Sequence, residues 1–501
     1  MAKKQHKKIV RTLSNKDKKL IEDDQKISKS FQRAITINLQ PHQFFTIVAF
    51  IFGLCFMLTT PPFQVADEIT HFGRVYKLSE FETIQKFENG ISGDSVPASL
   101  GKISTLFRDL CWQPQNKTTK GKIINTLKVS LQPGVKVYDR IDAGEYFYFS
   151  YLPQLPIVLI GRFFEFNTLY ILYFGRFFAL IFFVVCVRYA IKIIPIGKYL
   201  LMTIALLPMT LAQAASFNAD CVTFSLSFLG ISMIMKRSFS DRPFNRDIEF
   251  YMLAAIILIF GILKPTYLPL AALLLIIRPF YRKIYLSHFL LCAIIMFGSF
   301  FSTYLWRSLA SRPYQTTATK INDTNLVGSS IIGEGVSRLE MLLNSPGKII
   351  DLYYNTYNYF GEMYYKSTIG ILGYLDTVLP IQVYFLFGFL ILFIALFESN
   401  SNFKLSLYQR SFLFFISFGV ILLTILAMYT RTRQDAGLIA EGVQGRYFIP
   451  ALFPFFISLY GLLPFKIDFS RRKIITGILY IVLIYLLSDL PPYTHLEVHH
   501  Y

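Results

Sequence analysis

Long apolar runs separated by short basic segments make up most of the chain. A helix needs about 20 apolar residues to cross roughly 30 Å of hydrocarbon. The pattern predicts about eleven such spans, at 44–60, 168–190, 198–215, 220–236, 250–264, 266–279, 284–306, 378–397, 410–429, 447–464 and 474–490. We therefore predict an all-α, polytopic transmembrane protein.

The same pattern divides the chain into three parts: a basic segment at 1–43, a transmembrane domain at 44–490 and a tail at 491–501. Two long connections, 61–167 and 307–377, interrupt the apolar runs, and each is long enough for helices that lie at the membrane surface. Within the first, residues 147–163 are apolar but contain two prolines. We interpret that stretch as interfacial or re-entrant.

Basic residues predict the orientation of the spans. Residues 1–33 hold eleven Lys and Arg against four Asp and Glu, which places the N-terminus in the cytoplasm. All even-numbered connections are then basic, namely 192–198, 236–246, 278–283, 404–410 and 471–473. Both long connections and the C-terminal tail are expected outside the cell, unless residues 147–163 span and reverse everything downstream.

Composition agrees with this placement. Hydrophobic residues make up 53% of the chain and charged residues 16%, against about 25% charged in soluble domains. The net charge of +19 lies in blocks between apolar runs, which argues for the lipid bilayer as the partner and against nucleic acid. The five cysteines form no C-x-x-C pair, so no thiol metal site is expected.

A polar motif follows the first span, after Pro61-Pro62 has ended the helix. It contains Asp67 and Glu68, followed by His71 and Arg74. On a helix, Asp67 and His71 would share one face. An acid at an apolar wall can act as a general base or bind a metal. The alternative is an ordinary solvated loop.

Further candidates lie at other ends of predicted spans. In Gly442-Val443-Gln444-Gly445-Arg446-Tyr447, the guanidinium of Arg446 suits a phosphate, with Gln444 and Tyr447 beside it, although an interfacial arginine also snorkels to water. Lys264 presents the same two alternatives. The remaining candidates are Asn218, Asp220, which could instead cap a helix, and Asp376.

In the predicted topology these candidates all face the same compartment. A base beside cations at an outer membrane surface suits a lipid-phosphate substrate. The acid would deprotonate an acceptor hydroxyl while the cations hold the leaving phosphate. We therefore expect extracytoplasmic sugar transfer from a polyprenyl-phosphate donor in the cell membrane.

Four segments carry a family resemblance: P-P-F-Q-V-A-D-E-I-T-H-F, L-K-P-T-Y-L-P, G-Y-L-D-T-V-L-P and G-V-Q-G-R-Y-F-I-P. Together they resemble a family of bacterial multi-pass membrane proteins that is similar to the GT-C glycosyltransferases. The D-E-x-x-H-F-G stretch is also similar to the first external loop of protein O-mannosyltransferases. The resemblance implies eleven to thirteen spans, a polyprenyl-phosphate sugar donor, and Asp67 as the base with Glu68 beside it. The phosphate role of Arg446 rests on the residues alone.

Low alanine with abundant Lys, Ile, Phe, Tyr and Asn indicates an AT-rich Gram-positive source, so the expected acceptor is a wall polysaccharide, teichoic acid or other surface glycan. The expected transfer inverts the sugar's anomeric configuration. No cofactor is required by the sequence, and the use of Mg²⁺ or Mn²⁺ stays open. Two alternatives are a transporter or flippase for a lipid-linked glycan, and a non-catalytic partner in glycan assembly. The scarcity of mid-span acids and of internal repeats argues against the transporter.

Overall fold

In the computed structural model of the protein, α-helices account for most of the chain. The structure describes residues 39–88, 91–141, 143–241, 246–277, 286–310, 338–398, 402–430 and 437–463. The predicted span at 474–490, the tail at 491–501 and most of the basic N-terminal segment lie outside these residues.

The helices follow the apolar runs. They are α1 (Pro41–Thr59), α2 (Glu68–Ser79), α3 (Ala98–Leu106), α4 (Lys120–Thr126), α5 (Leu155–Phe163), α6 (Thr168–Ile193), α7 (Lys198–Ala205), α8 (Pro208–Ala214), α9 (Asp220–Ser238), α10 (Ile248–Leu263), α11 (Leu286–Ala310), α12 (Gly347–Ile369), α13 (Ile381–Phe397), α14 (Leu407–Tyr429) and α15 (Ile449–Ile457). Short 3-10 helices lie at Arg108–Leu110, Tyr148–Tyr151, Pro265–Ile276 and Gly445–Phe448.

Four of these helices are long and apolar enough to cross a membrane: α1, α6, α14 and residues Ser287–Ala310 of α11. They contain 19 to 26 residues, which at 1.5 Å per residue corresponds to about 28–39 Å. They coincide with the spans predicted at 44–60, 168–190, 284–306 and 410–429. The prediction of a polytopic helical membrane protein is confirmed, whereas the number of eleven spans stays a prediction.

The predicted span at 220–236 corresponds to α9, an uninterrupted helix of 19 residues that is not among these four. Further predicted spans are shorter or interrupted in the structure. Pro208 separates α7 from α8, because proline offers no N–H within a helix. The predicted span at 266–279 is a 3-10 helix that contains Pro265 and Pro269. The predicted spans at 250–264, 378–397 and 447–464 correspond to apolar helices of fewer than 18 residues.

Residues 147–163 also form short elements. A 3-10 helix at Tyr148–Tyr151 precedes α5, which has nine residues. Such a helix is about 14 Å long and cannot cross a hydrocarbon core by itself. The geometry favours an interfacial or re-entrant segment, and the side of the membrane on which it lies stays a prediction.

The connection at 61–167 contains a small sheet, so the all-α expectation is wrong there. Strands β1 (Lys86–Glu88), β2 (Ile91–Pro97) and β3 (Lys136–Arg140) form an antiparallel sheet in the order β1-β2-β3. β2 carries Val96 into an apolar core, so burial against neighbouring helices supports an otherwise short sheet. A second, two-residue pairing joins β4 (Ile371–Leu372) and β5 (Thr377–Val378).

Two hydrophobic cores meet at the start of α9. The larger core joins α1, α6 and α9 through residues such as Phe52, Leu180 and Phe224. The smaller core lies under the sheet and includes Phe72 and Phe217. Phe217 belongs to the smaller core and Cys221 to the larger, so the polar residues between them occupy the junction.

Candidate functional site

Asp67 lies at the turn between α1 and α2. Pro61 and Pro62 follow α1, and the chain then passes through Phe63 with φ 58° and Asp67 with φ 66°. Left-handed backbone is uncommon for non-glycine residues, although aspartate tolerates it better than most. The Asp67 side chain is 55% exposed, so this turn presents a half-exposed carboxylate at the junction of the two cores.

The segment between α8 and α9 contributes the side-chain amide of Asn218 to the same junction of the two cores. Asn218 caps α9, because its Oδ1 accepts hydrogen bonds from the backbone N–H groups of Asp220 (2.9 Å) and Cys221 (3.2 Å). The Asn218 amide also donates to Gln213 Oε1 and to Ser216 Oγ. Asn218 is thus the cap, a role that the sequence also allowed for Asp220.

Arg446 joins the elements of this junction. Its Nη2 donates to Asp67 Oδ2 (3.0 Å), its Nη1 donates to Gln213 Oε1 (3.0 Å), and its Nε lies 3.4 Å from Asp220 Oδ2. The side chain of Arg446 is 4% exposed. One buried guanidinium therefore holds a half-exposed carboxylate, a buried carboxylate and an amide, a set we call the Arg446 cluster (Asp67, Gln213, Asp220 and Arg446).

Sequence reasoning missed Gln213. It lies in the run Leu-Ala-Gln-Ala-Ala, which was interpreted as membrane-spanning. A polar side chain inside an apolar helix is a signal of function or of a buried partner. Its partner Arg446 is 233 residues away in the sequence, so that signal alone could not have named the contact.

Lys264 lies beside the Arg446 cluster and faces aromatic rings. Its Nζ is 3.3 Å from the centroid of the Tyr447 ring and 5.6 Å from that of Tyr267. The Tyr267 hydroxyl donates to the carbonyl of Tyr447 (2.8 Å), which ties the 3-10 helix after α10 to the one before α15. A desolvated ammonium over a ring is stabilised by the cation–π interaction, and here it places a second cation near Arg446.

His71 is buried on α2 within a ring of tyrosines. Its Nδ1 hydrogen-bonds to the Tyr151 hydroxyl (2.6 Å), and its ring packs edge-on against Tyr146. Burial lowers the pKa of His71, against the opposing effect of the Asp67 and Asp220 carboxylates. His71 is therefore neutral near pH 7 and can accept or donate one hydrogen bond.

Glu68 and Arg74 are bound within the protein. Both Glu68 oxygens accept from Arg176 at 2.8 and 2.5 Å, and Glu68 Oε1 also accepts from the Phe217 N–H (2.9 Å). Arg74 donates to the carbonyls of Thr83 and Tyr146. Arg176, a second residue missed in the sequence, lies inside the apolar run of α6, where a charged residue is itself a signal of a buried partner.

The glycine before Arg446 is required by packing. A Cβ atom at Gly445 would lie 2.2 Å from the Tyr364 carbonyl oxygen and 2.4 Å from the Thr368 backbone nitrogen. The Gly445 N–H donates to Ser367 Oγ (2.8 Å). Gly445 thus lets the chain approach α12 closely, and this contact fixes the position of Arg446.

Gln444 precedes Gly445 and is the N-cap of the 3-10 helix Gly445–Phe448. Its buried Oε1 has no hydrogen-bond partner among the described residues.

Gly445→Ala is expected to destabilise the protein by about 1–3 kcal/mol, because a side chain forced into a filled space displaces backbone. The measurement is the midpoint of thermal unfolding in detergent. Gly419→Ala is the matched control, since a Cβ at Gly419 meets no atom within 4 Å and α14 gains helix propensity. Equal midpoints for the two variants would contradict the packing role.

Two crevices lie next to the Arg446 cluster and share Pro61, Gln64 and Gly373. The apolar crevice is lined by Phe56, Thr59, Thr60, Pro61, Gln64, Val65, Met209, Ala212, Gln213, Leu372 and Gly373. The amide crevice is lined by Pro61, Gln64, Leu110, Gln113, Pro114, Asn116, Thr118, Gly373, Tyr374, Asp376 and Thr377. Gln213 connects the apolar crevice to Arg446, whereas Asp376 lines the amide crevice.

The structure therefore brings most sequence candidates to one junction. Asp67, Asp220 and Arg446 are in direct contact, and Lys264 and Tyr447 adjoin them. Among the described residues, no group of three or more His, Cys, Asp or Glu side chains could hold a metal ion. The chemistry available in the residues themselves is a half-exposed carboxylate paired with a buried cation.

Comparison with known proteins identifies the family of this chain. A model of a family described as predicted membrane protein (DUF2142) matches residues 50–454, which is most of the chain. No curated protein and no solved structure matches the chain. The matched range includes the second half of α1, the Arg446 cluster and both crevices, and the chain therefore belongs to the DUF2142 family of predicted membrane proteins.

Proposed function

We propose that this protein is a membrane glycosyltransferase of the GT-C type. It would transfer a sugar from a polyprenyl-phosphate donor to a glycan acceptor outside the cytoplasm, with inversion at the anomeric carbon. The observation that carries the proposal is the pairing of a half-exposed carboxylate, Asp67, with the buried guanidinium of Arg446 beside an apolar crevice. A base, an anion-binding cation and an apolar surface beside them for the lipid chain are the parts that this reaction needs.

The donor phosphate is assigned to Arg446, with Lys264 as the second cation. A guanidinium presents several N–H donors in a plane and binds phosphate oxygens in pairs. In the free protein, Arg446 Nη2 donates its hydrogen bond to Asp67 Oδ2. An arriving phosphate would replace Asp67 on Arg446, because the carboxylate is half-exposed and free to turn away. Donor binding would thereby release the base that the reaction uses.

Asp67 then removes the proton from the acceptor hydroxyl as that oxygen attacks the anomeric carbon. The bond between that carbon and the phosphate oxygen breaks, and the polyprenyl phosphate leaves with its charge held by Arg446 and Lys264. In this proposal Glu68 and Arg74 are positioning residues, since their side chains bind Arg176 and backbone carbonyls inside the protein. His71 stays neutral and orients the aromatic wall through Tyr151.

The proposal is tested with purified protein in liposomes that contain a polyprenyl-phosphate sugar labelled in the sugar. Wild-type protein is expected to release polyprenyl phosphate and to label a surface-glycan acceptor. Arg446→Lys is expected to raise the donor KM about tenfold or more, because one ammonium cannot replace the planar pair of donors. Arg410→Lys is the matched control, since Arg410 bonds to Ser458, beyond the far end of α15.

Two outcomes would overturn the proposal. Movement of the intact labelled donor across the bilayer without loss of its sugar would identify a transporter or flippase. Unchanged donor with neither transfer nor movement, in the presence of acceptor, would identify a non-catalytic partner in glycan assembly. Equal donor KM values for Arg446→Lys and Arg410→Lys would remove Arg446 from the phosphate site.

A further inference from the structure

Trp112 is an exposed aromatic residue at the rim of the amide crevice. The chain contains only two tryptophans, and Trp112 is 67% exposed with φ 56°, a left-handed backbone that is rare for a bulky residue. Its ring packs edge-on against Tyr374, at 5.0 Å between centroids and 73° between planes. A strained backbone that presents a large, exposed aromatic ring is the kind of outlier that clusters at binding sites.

The loop that carries Trp112 is fastened at several points. Gln64 Nε2 donates to the Phe107 carbonyl (2.9 Å), which binds the loop to the turn before Asp67. Asn116 Nδ2 donates to the Asp109 carbonyl (2.7 Å). The tryptophan is therefore presented by an ordered loop.

The amide crevice, which Trp112 adjoins through Tyr374, has three amide side chains and one carboxylate in its lining, together with apolar residues and threonines. Gln64, Gln113 and Asn116 line the amide crevice together with Asp376. The hydrogen bonds of Asp376 to other described residues use Oδ1, which accepts from the Tyr374 N–H (3.2 Å) and the Thr377 hydroxyl (3.2 Å). The side-chain amide of Asn116 uses its Nδ2 in the bond to Asp109. Asp376 Oδ2 and the side-chain oxygen Oδ1 of Asn116 can therefore accept hydrogen bonds from the hydroxyls of a ligand.

An aromatic face beside amides and a carboxylate matches a sugar ring. The C–H bonds of a pyranose pack on the face of an aromatic ring, and its hydroxyls need partners that both donate and accept. The chain segment that carries Trp112 is polar as well. The residues that follow Trp112 are Gln113-Pro114-Gln115-Asn116-Lys117, all exposed and mostly polar.

We propose that Trp112, Tyr374, Asn116 and Asp376 form a saccharide-binding subsite. It holds the acceptor glycan next to the turn that carries Asp67. The two crevices share Pro61, Gln64 and Gly373, so a chain bound in the amide crevice reaches the turn that carries Asp67. Burial raises the pKa of Tyr374, and the Cys111 and Asp67 side chains add to that effect, which places Asp67 within electrostatic range of the subsite. The role as acceptor site rests on the proposed function, whereas saccharide binding does not.

Binding is tested by fluorescence in a Trp306→Phe background, where Trp112 is the single tryptophan. The probe is the surface polysaccharide of cells that carry the protein, cut to oligosaccharides by mild acid. The expected result is a saturable change in Trp112 emission. Asn116→Ala and Asp376→Asn are each expected to weaken binding about three- to tenfold, since each removes one hydrogen-bonding group. Lys117→Ala is the matched control, because Lys117 is exposed, adjoins Asn116 and does not line the crevice.

In the transfer assay, Trp112→Ala is expected to raise the acceptor KM about tenfold, because the sugar loses its stacking partner, whereas Lys117→Ala is expected to leave the acceptor KM unchanged. Saturable binding that depends on Asn116, in a protein that transfers no sugar, would retain the subsite and overturn the proposed function. Sugar transfer with an acceptor KM unaffected by Trp112→Ala would overturn the subsite alone. Quenching of Trp112 by brominated lipid, without any response to the oligosaccharides, would identify a membrane anchor and also overturn the subsite.

Discussion

Arg176→Met is expected to lower the free energy of unfolding by about 3–5 kcal/mol, the largest loss of stability that we predict for a single residue of this protein. Arg176 and Glu68 are both fully buried. Removing the guanidinium leaves the Glu68 carboxylate buried without its counter-ion. The carbonyls of Met57, Thr60 and Pro61 lose their donor at the same time.

The Glu68–Arg176 ion pair joins distant parts of the chain, so its removal is expected to destabilise the whole fold. Arg176 lies on α6, the three carbonyls lie at the end of α1 and in the turn after it, and Glu68 begins α2. Glu68 also accepts from the Phe217 N–H, in the segment before α9. Four parts of the chain therefore meet on one ion pair, and the turn that carries Asp67 is fixed between them.

A double-mutant cycle separates the pair from its surroundings. Glu68→Met is expected to destabilise the protein, and the double variant with Arg176→Met is expected to recover part of the loss, because two apolar side chains need no counter-ion. Glu362→Gln is the control, since Glu362 is exposed on α12 and solvent screens its ion pair with Lys366. The measurement is thermal unfolding in detergent. Additive losses from the two single variants would show that Glu68 and Arg176 are not energetically coupled.

Sequence patterns predicted the long spans because span length depends on local composition. An uninterrupted run of apolar residues forms a helix wherever it lies in the fold, as in α1, α6 and α14. The break between α7 and α8 at Pro208 was not predicted, because the hydropathy of the run favours one continuous span at 198–215. The sheet β1-β2-β3 was missed for another reason: its short strands are supported by packing against helices, which a local pattern does not contain.

In the candidate site, too, local sequence predicted some features, and others depend on contacts between distant parts of the chain. Asp67, Asp220, Lys264 and Arg446 could be named because ionisable residues at the ends of apolar runs are conspicuous. Their geometry could not be predicted, since Arg446 is 379 residues from Asp67 along the chain. Glu68 was assigned to catalysis from its place beside Asp67, and only the packed structure brings Arg176 to it. Adjacent acids thus have unlike surroundings, one half-exposed and one fully buried.

Asp67→Asn is expected to lower the rate of sugar transfer about 10²- to 10⁴-fold, which is the usual contribution of a general base. Asparagine keeps the size of aspartate and also tolerates the left-handed backbone at this position, where φ is 66°. Its carbonyl oxygen can still accept from Arg446. The substitution therefore removes the base while leaving the turn intact, and an unchanged unfolding midpoint would verify that.

Asp220→Asn is the matched control for charge. Asp220 faces the same guanidinium, with its Oδ2 3.4 Å from Arg446 Nε, but it is buried and cannot reach an acceptor. Its substitution is expected to act mainly on the donor KM, and to lower the transfer rate less than tenfold. Donor affinity in Asp67→Asn is expected to stay level or to rise, because Arg446 loses a competing carboxylate. Single-turnover transfer from labelled donor measures both quantities, and equal rate losses in the two variants would mean that charge balance around Arg446, rather than a base at Asp67, limits the reaction.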